Sequence, residues 1–211
     1  MNFITFQKLS KPLQHITCNK GEQYCILLFN FSGHLIVDIN HESATVFILG
    51  IYIGSDENEF RLNTIQHHKK GKNVSDLLIK GVFFDQSKFY YEGLIKIDKK
   101  AQQSNAYQKN QNILMSRNVF VDSRPYLEIE ADDVACTHGS TTGKLSNDSI
   151  DFLNLRGLDE NTAKKLLLTG FIEDIFNRIN NLGWEMQAKK SKMECLKSLE
   201  IVLNEFSTRS V

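Results

Sequence analysis

The sequence predicts a mainly β chain that finishes in helices. Three observations carry this. From Gln23 to about Val134, short apolar runs rich in β-branched and aromatic residues alternate with polar breaks. No helix-length amphipathic pattern separates those runs, which argues against an open α/β sheet. After Ser146 the apolar residues change to helical spacing. The chain has 211 residues, 41% of them hydrophobic, enough for one large domain or two small ones.

Taken in order, the expected strands are 24–31 (YCILLFNF), 34–39 (HLIVDI), 44–53 (ATVFILGIYI), 59–65 (EFRLNTI), 76–84 (DLLIKGVFF), 88–97 (KFYYEGLIKI), 113–121 (ILMSRNVFV) and 125–131 (PYLEIEA). Strict alternation of Leu127, Ile129 and Ala131 with Glu128, Glu130 and Asp132 predicts one buried and one wet face there. Gly50, Gly81 and Gly93 precede apolar triplets at irregular spacing, so no clean solenoid repeat is visible, and pattern alone does not separate a sandwich from a solenoid. The polar segment 96–112 has the composition of a linker. Beyond it, Ser146 is the expected N-cap of a short helix stopped by Gly157, and Asp159 that of a second helix ended by Gly183. On the second helix Ala163, Leu166, Leu167, Phe171, Ile175 and Ile179 form one stripe; on a third, roughly 184–206, Met193, Leu196, Leu199, Leu203 and Phe206 do. Short helices bury little alone, so these are expected to pack on the β part or on a partner. The expected division is 1–145 for the β part and 146–211 for the helices.

Charge and composition exclude several classes. Lys plus Arg (25) balance Asp plus Glu (25), removing the attraction used by nucleic-acid or anionic-membrane binders. No apolar run spans a bilayer and the first residues do not read as a leader, so the expectation is a cytoplasmic protein. Cys18, Cys25, Cys136 and Cys195 show no paired spacing and are expected to be free thiols.

The stretch VACTHGSTTGKLS nearly spells a phosphate-binding loop, but Gly139 lies one residue too close to Gly143 and Lys144 is followed by Leu145. Within it, Cys136 and His138 are one residue apart, so in an extended backbone they leave the same face. Thiolate and imidazole suit borderline metals and iron–sulfur centres. Two ligands do not complete a site, and the plain alternative is a small buried thiol beside a turn histidine. Adjacent His67 and His68 must face opposite ways in a strand. His15, Cys18 and Cys25 match no ligand spacing, and Glu128, Glu130, Asp132 and Asp133 read as a solvated face.

The segment SRPYLEIEADDVACTHGSTTGKLSNDSIDFLNLRGLDENTAKKLLLTGFIEDI resembles the C-terminal signature of the SufB/SufD family of iron–sulfur cluster assembly proteins. Pro125, Leu127 to Ile129, Ala131 to Val134, Cys136, His138, Gly139, Thr141, Gly143 and Leu145 lie in register with it, and Ser140 stands where alanine is usual. Upstream, NAYQKNQNILMS is similar to another family element, and Thr64, His68, Ser75 and Lys80 to Val82 match a third, which selects His68 over His67. The C-x-H-G form is SufD-like. The resemblance covers roughly 64–179.

The resemblance implies a right-handed parallel β-helix followed by a small helical domain, with Asn105, Gln108, Asn110 and Asn112 as candidates for side chains stacked within or along the coils. It implies a non-enzymatic subunit that pairs with a SufB-like chain, or with itself, and docks a SufC-like ABC ATPase through the helices. It points to His138 as the cluster-assembly residue and tentative metal ligand, with Cys136 as a weaker neighbour, and to a transient iron–sulfur cluster or iron with no tightly bound cofactor. The chain is about half the length of familiar SufD proteins, which leaves open a docking paralogue without cluster chemistry. A carbohydrate-active β-helix enzyme, for which Tyr90 and Tyr91 are the aromatic candidates, and a nucleotide hydrolase are the other readings.

Overall fold

A computed structural model describes residues 2–209. Its strands are β1 (Asn2–Gln7), β2 (Leu13–Cys18), β3 (Gln23–Phe29), β4 (Gly33–Ile39), β5 (Thr45–Gly54), β6 (Glu59–His68), β7 (Val74–Phe83), β8 (Lys88–Ile97), β9 (Asn105–Leu114), β10 (Phe120–Ile129) and β11 (Ala135–Lys144). Three helices follow: α1 (Asn147–Asn154), α2 (Glu160–Asn181) and α3 (Glu185–Arg209). Odd strands form a six-stranded sheet and even strands a five-stranded one, each in simple order and all parallel. Each odd–even pair is thus one coil of a parallel β-helix. Among the described residues no helix is long and apolar enough to cross a membrane.

The repeat escapes the sequence because the coils differ in length. Gln23, Thr45, Val74, Asn105 and Ala135 stack in one column, although their spacing along the chain is unequal. The corners carry the difference. Asn30, Asp56 and Asp85 on one side, and Ser43, Lys72 and Gln103 on the other, all adopt positive φ between 49° and 61°. Asn and Asp tolerate this left-handed region better than most side chains, so at these six positions the turn is made by a polar residue rather than glycine.

Two large hydrophobic clusters hold the molecule, with a third, smaller one around Ile95, Ile97 and Ala106. Between the sheets lie inward residues such as Ile26, Ile48, Leu35, Val37, Tyr52 and Phe89. On the far side of the odd sheet, Cys25, Leu27, Leu49, Ile51 and Leu78 pack against Leu168, Ile172, Ile175 and Phe176 of α2 and Cys195, Leu199 and Leu203 of α3. Strands β3, β5 and β7 are therefore largely buried on both faces, which is why β5 reads as a nearly unbroken apolar run. Burying each such side chain contributes about 1.5–3 kcal/mol.

Several expectations are corrected. Segment 96–112 is no linker: it contains most of β9, whose Gln108, Asn110 and Asn112 point into the coil while Asn105 is exposed. Segment 113–121 is not one strand: it holds the end of β9, the corner at 115–119 and the start of β10. Strands β1, β2 and β11 were not among those expected. The helix stripes hold in part: Ala163, Ile175, Ile179, Leu199 and Leu203 are buried as expected, Leu166 and Met193 are exposed, and Leu168, Ile172, Phe176, Ala188 and Cys195 join the buried face. The reason is that α2 and α3 pack on each other and on a sheet, so a wider arc than the densest apolar stripe is covered. Ser146 and Asp159 do cap their helices, accepting from Ser149 N and Thr162 N, and Gly157 and Gly183 adopt positive φ beyond the helix ends.

Lys80 fastens helix to sheet. Its side chain is 7% exposed, and Nζ meets Asp174 Oδ2 at 2.7 Å, donates to Phe171 O at 3.0 Å and sits 4.4 Å from the Phe171 ring centroid. Removing the half-exposed partner strands a buried ammonium, whereas removing the lysine strands little. Asp174→Ala is expected to cost roughly 3 kcal/mol and Lys80→Met about 1 kcal/mol, read from urea unfolding midpoints; equal losses would contradict this.

Candidate functional site

The inner columns of the β-helix change character along its length. One column runs Ile4, Ile26, Ile48, Leu77, Gln108, His138. Its neighbour runs Leu28, Gly50, Ile79, Asn110, Ser140. Apolar coils thus give way to an amide layer and then to a terminal layer of small polar side chains and one imidazole. In-register neighbours of a parallel sheet share a face, so His138 belongs to the inner face above buried Gln108.

No further coil covers that layer. Strand β11 is the outermost strand of its sheet, and β10 of the other. Leu127 and Ile129 continue the columns of Ile95 and Ile97, which are 0% exposed, yet are themselves 36% and 41% exposed. The alternation that predicted a buried face identified the inward side correctly, but the face is open. Cys136 packs partly against Ala106 and Ala131, and its burial pushes the thiol pKa up, favouring the protonated form. His138 is exposed two residues on, with no side-chain hydrogen bond or ion pair among the described residues. Ser140 Oγ donates to Ser123 Oγ at 3.0 Å, and Asn112 Nδ2 donates to Thr142 Oγ1 at 3.2 Å, tying the last layer to the one beneath.

The open end therefore gathers Leu127, Ile129, Cys136, His138, Ser140 and Thr142. Sequence reasoning marked Leu127 and Ile129 as a buried strand face, not as part of an open site, and gave Ser140 and Thr142 no site role. Period-2 alternation tells sides apart but not whether a side is covered. Among the described residues no group of three or more His, Cys, Asp or Glu side chains is placed to hold a metal ion. All four cysteines are free thiols, and Cys18, Cys25 and Cys195 are buried.

The other candidates lie elsewhere. His68 is fully buried in β6, its Nε2 2.8 Å from Ser75 Oγ, and Ser75 lies two strands inward of Cys136 in the same column. His67 faces outward between Asp38 and Asp98, with Nε2 2.8 Å from Asp98 Oδ1. His15 pairs with the same Asp38 at 3.0 Å. Tyr91 is buried between the sheets and Tyr90 lies outside against Arg61, so the two form no row. Strand β11 is extended throughout its glycine-rich stretch, so its amides do not converge as a phosphate loop requires.

The class these observations define is a parallel β-helix with an uncovered last coil, an inner-face histidine there and a helical layer on one sheet. The family model described as "SUF system FeS cluster assembly, SufBD core domain" matches residues 14–171, and the chain belongs to that family. It is 29% identical over 149 residues to the iron-sulfur cluster assembly protein SufD of Escherichia coli (strain K12), covering 71% of this chain and 35% of that protein. It is 28% identical over 151 residues to an iron-sulfur cluster assembly SufBD family protein of Synechocystis sp. (strain ATCC 27184 / PCC 6803 / Kazusa), covering 70% and 33%. It is 31% identical over 99 residues to the chloroplastic protein ABCI7 of Arabidopsis thaliana, covering 47% and 21%. The match spans about a third or less of each of these relatives.

Burial, with a smaller contribution from His67, lowers the His68 pKa from 6.5 to about 4. The unfolded chain therefore takes up this proton first as pH falls. The His68 contribution is intact above about pH 6.5 and is lost progressively toward pH 4, by roughly 3 kcal/mol at the acid limit. Comparing urea midpoints at about pH 7.5 and 4.5, His68→Gln is expected to lose less stability on acidification than the parent chain; an identical pH dependence would refute the assignment.

Proposed function

We propose that this chain is a SufD-like, non-enzymatic subunit of the iron–sulfur cluster assembly machinery. The observation that carries the reading is the uncovered inner face of the last coil, with His138 in its centre. A coil end that exposes Leu127 and Ile129 together with unpaired edges of β10 and β11 favours a protein partner. A SufB-like chain, or a second copy of this one, would supply both the covering strands and the further ligands that Cys136 and His138 lack. The substrate passing through that seam would be iron or a nascent iron–sulfur cluster, to which the His138 imidazole offers a borderline nitrogen ligand.

The helices support the second half of the reading. Between α2 and α3 runs a groove floored by Leu196, Leu199 and Leu203, with exposed Met193 and the mixed charges of Lys165, Lys190, Lys197, Glu194 and Glu200 on its walls. An apolar floor with a charged rim suits a folded protein partner, in this reading a SufC-like ABC ATPase. ATP hydrolysis would belong to that subunit.

Because His138 is exposed and carries no structural contact, His138→Ala should leave the urea midpoint unchanged within about 0.5 kcal/mol. The same substitution should lower cluster formation in anaerobic reconstitution with SufB-like and SufC-like subunits by an order of magnitude or more, with Cys136→Ser less affected. Absorption of the reconstituted complex and its elution volume provide the measurement. Failure of the unsubstituted chain to co-elute with either subunit, or full cluster formation by His138→Ala, would overturn the proposal.

A further inference from the structure

Beside α2, the middle of β9 and β11 leaves its outer face bare. There a groove of about 460 Å³ is lined by Asp76, Tyr107, Lys109, Thr137 and Arg178, with His138 on its rim. Register explains the grouping: Asp76, Tyr107 and Thr137 stack in one outer column, and Leu78, Lys109 and Gly139 in the next. A Cβ at Gly139 would meet nothing within 4 Å, so the space beside Lys109 is open.

The charges around this groove do not balance. Lys80, Lys109 and Arg178 are three cations, and Asp76 and Asp174 are the two carboxylates that face them. Lys80 is committed to Asp174 at 2.7 Å. Arg178 is shared loosely between Asp76 at 3.5 Å and Asp174 at 4.0 Å, which leaves guanidinium N–H groups free to donate. Lys109 is exposed and has no ion-pair partner among the described residues, although its charge acts on both Lys80 and Asp174. The tyrosine and threonine hydroxyls add neutral donors on the same wall.

We propose that this groove is a subsite for a phosphate-class oxyanion, held by the Lys109 ammonium and the Arg178 guanidinium with the Tyr107 and Thr137 hydroxyls. An anion of that class completes the unbalanced charge set, and guanidinium and phosphate match in geometry. The inference concerns the outer face and is independent of the partner covering the inner one.

The test is titration of the isotopically labelled full chain with orthophosphate at constant ionic strength, followed by amide chemical shifts. Saturable shifts are expected at Tyr107, Lys109, Thr137 and Gly139. Lys109→Gln should weaken binding about tenfold, as expected for one charge-assisted hydrogen bond. Lys20→Gln, at an exposed lysine between β2 and β3, should bind like the parent. A parallel titration with ADP separates the sources: tighter binding with added shifts at Tyr107 assigns a nucleotide phosphate, and equal or weaker binding assigns the free ion. Shifts that do not saturate, or an affinity unchanged in Lys109→Gln, would overturn the proposal.

Discussion

The structure depends on one requirement of the parallel β-helix: each coil is completed by the next. Backbone hydrogen bonds run along the solenoid axis, so every strand satisfies its neighbour and every inward side chain is sealed by the layer above. The last coil has no such neighbour. Its backbone edge and its inner side chains face the same incompleteness together, which is how Leu127, Ile129 and His138 come to be both inward-facing and exposed. The candidate site is thus a consequence of where the stacking stops, not of a cavity carved into the fold.

The change in the interior follows the same logic. Early coils fill the space between the sheets with Ile, Leu, Val and aromatic rings, whereas β9 contributes Gln108, Asn110 and Asn112. Gly81 and Gly93 make room for two of these amides: a Cβ at Gly93 would lie 2.5 Å from Gln108 Nε2, and one at Gly81 would lie 2.7 Å from Asn112 Oδ1. Amides with hydrogen bonds to Gly93 O, Ser123 Oγ and Thr142 Oγ1 tie this layer to other strands directionally, where an apolar layer would pack without fixed direction. The layer beneath the open end is therefore held in register, and His138 stands on a defined platform.

The helical layer solves a different problem. A parallel sheet buried on only one face would leave Leu27, Leu49 and Leu78 in water, and α2 and α3 cover them. Lys80 supplements that apolar contact with a directional one, and Arg178 extends the charged contacts to Asp76 at the edge of the uncovered strands. The boundary between covered and bare sheet is consequently a line of charge, and the outer groove lies along it.

Local sequence determined much of this protein. Alternation and β-branched content marked most strands, Ser146, Asp159, Gly157 and Gly183 marked helix ends, and the family signature carried the β-helix and His138. Tertiary structure alone decided the rest. Coil length varies at corners built from Asn, Asp, Ser, Lys and Gln, so no fixed period announced the solenoid, and segment 96–112 looked like a linker because its buried amides are polar. Whether an inward residue is sealed depends on the presence of another coil, which residues far apart in the chain decide. Alternation therefore gave Leu127 and Ile129 their side, while only the end of the stack left that side open.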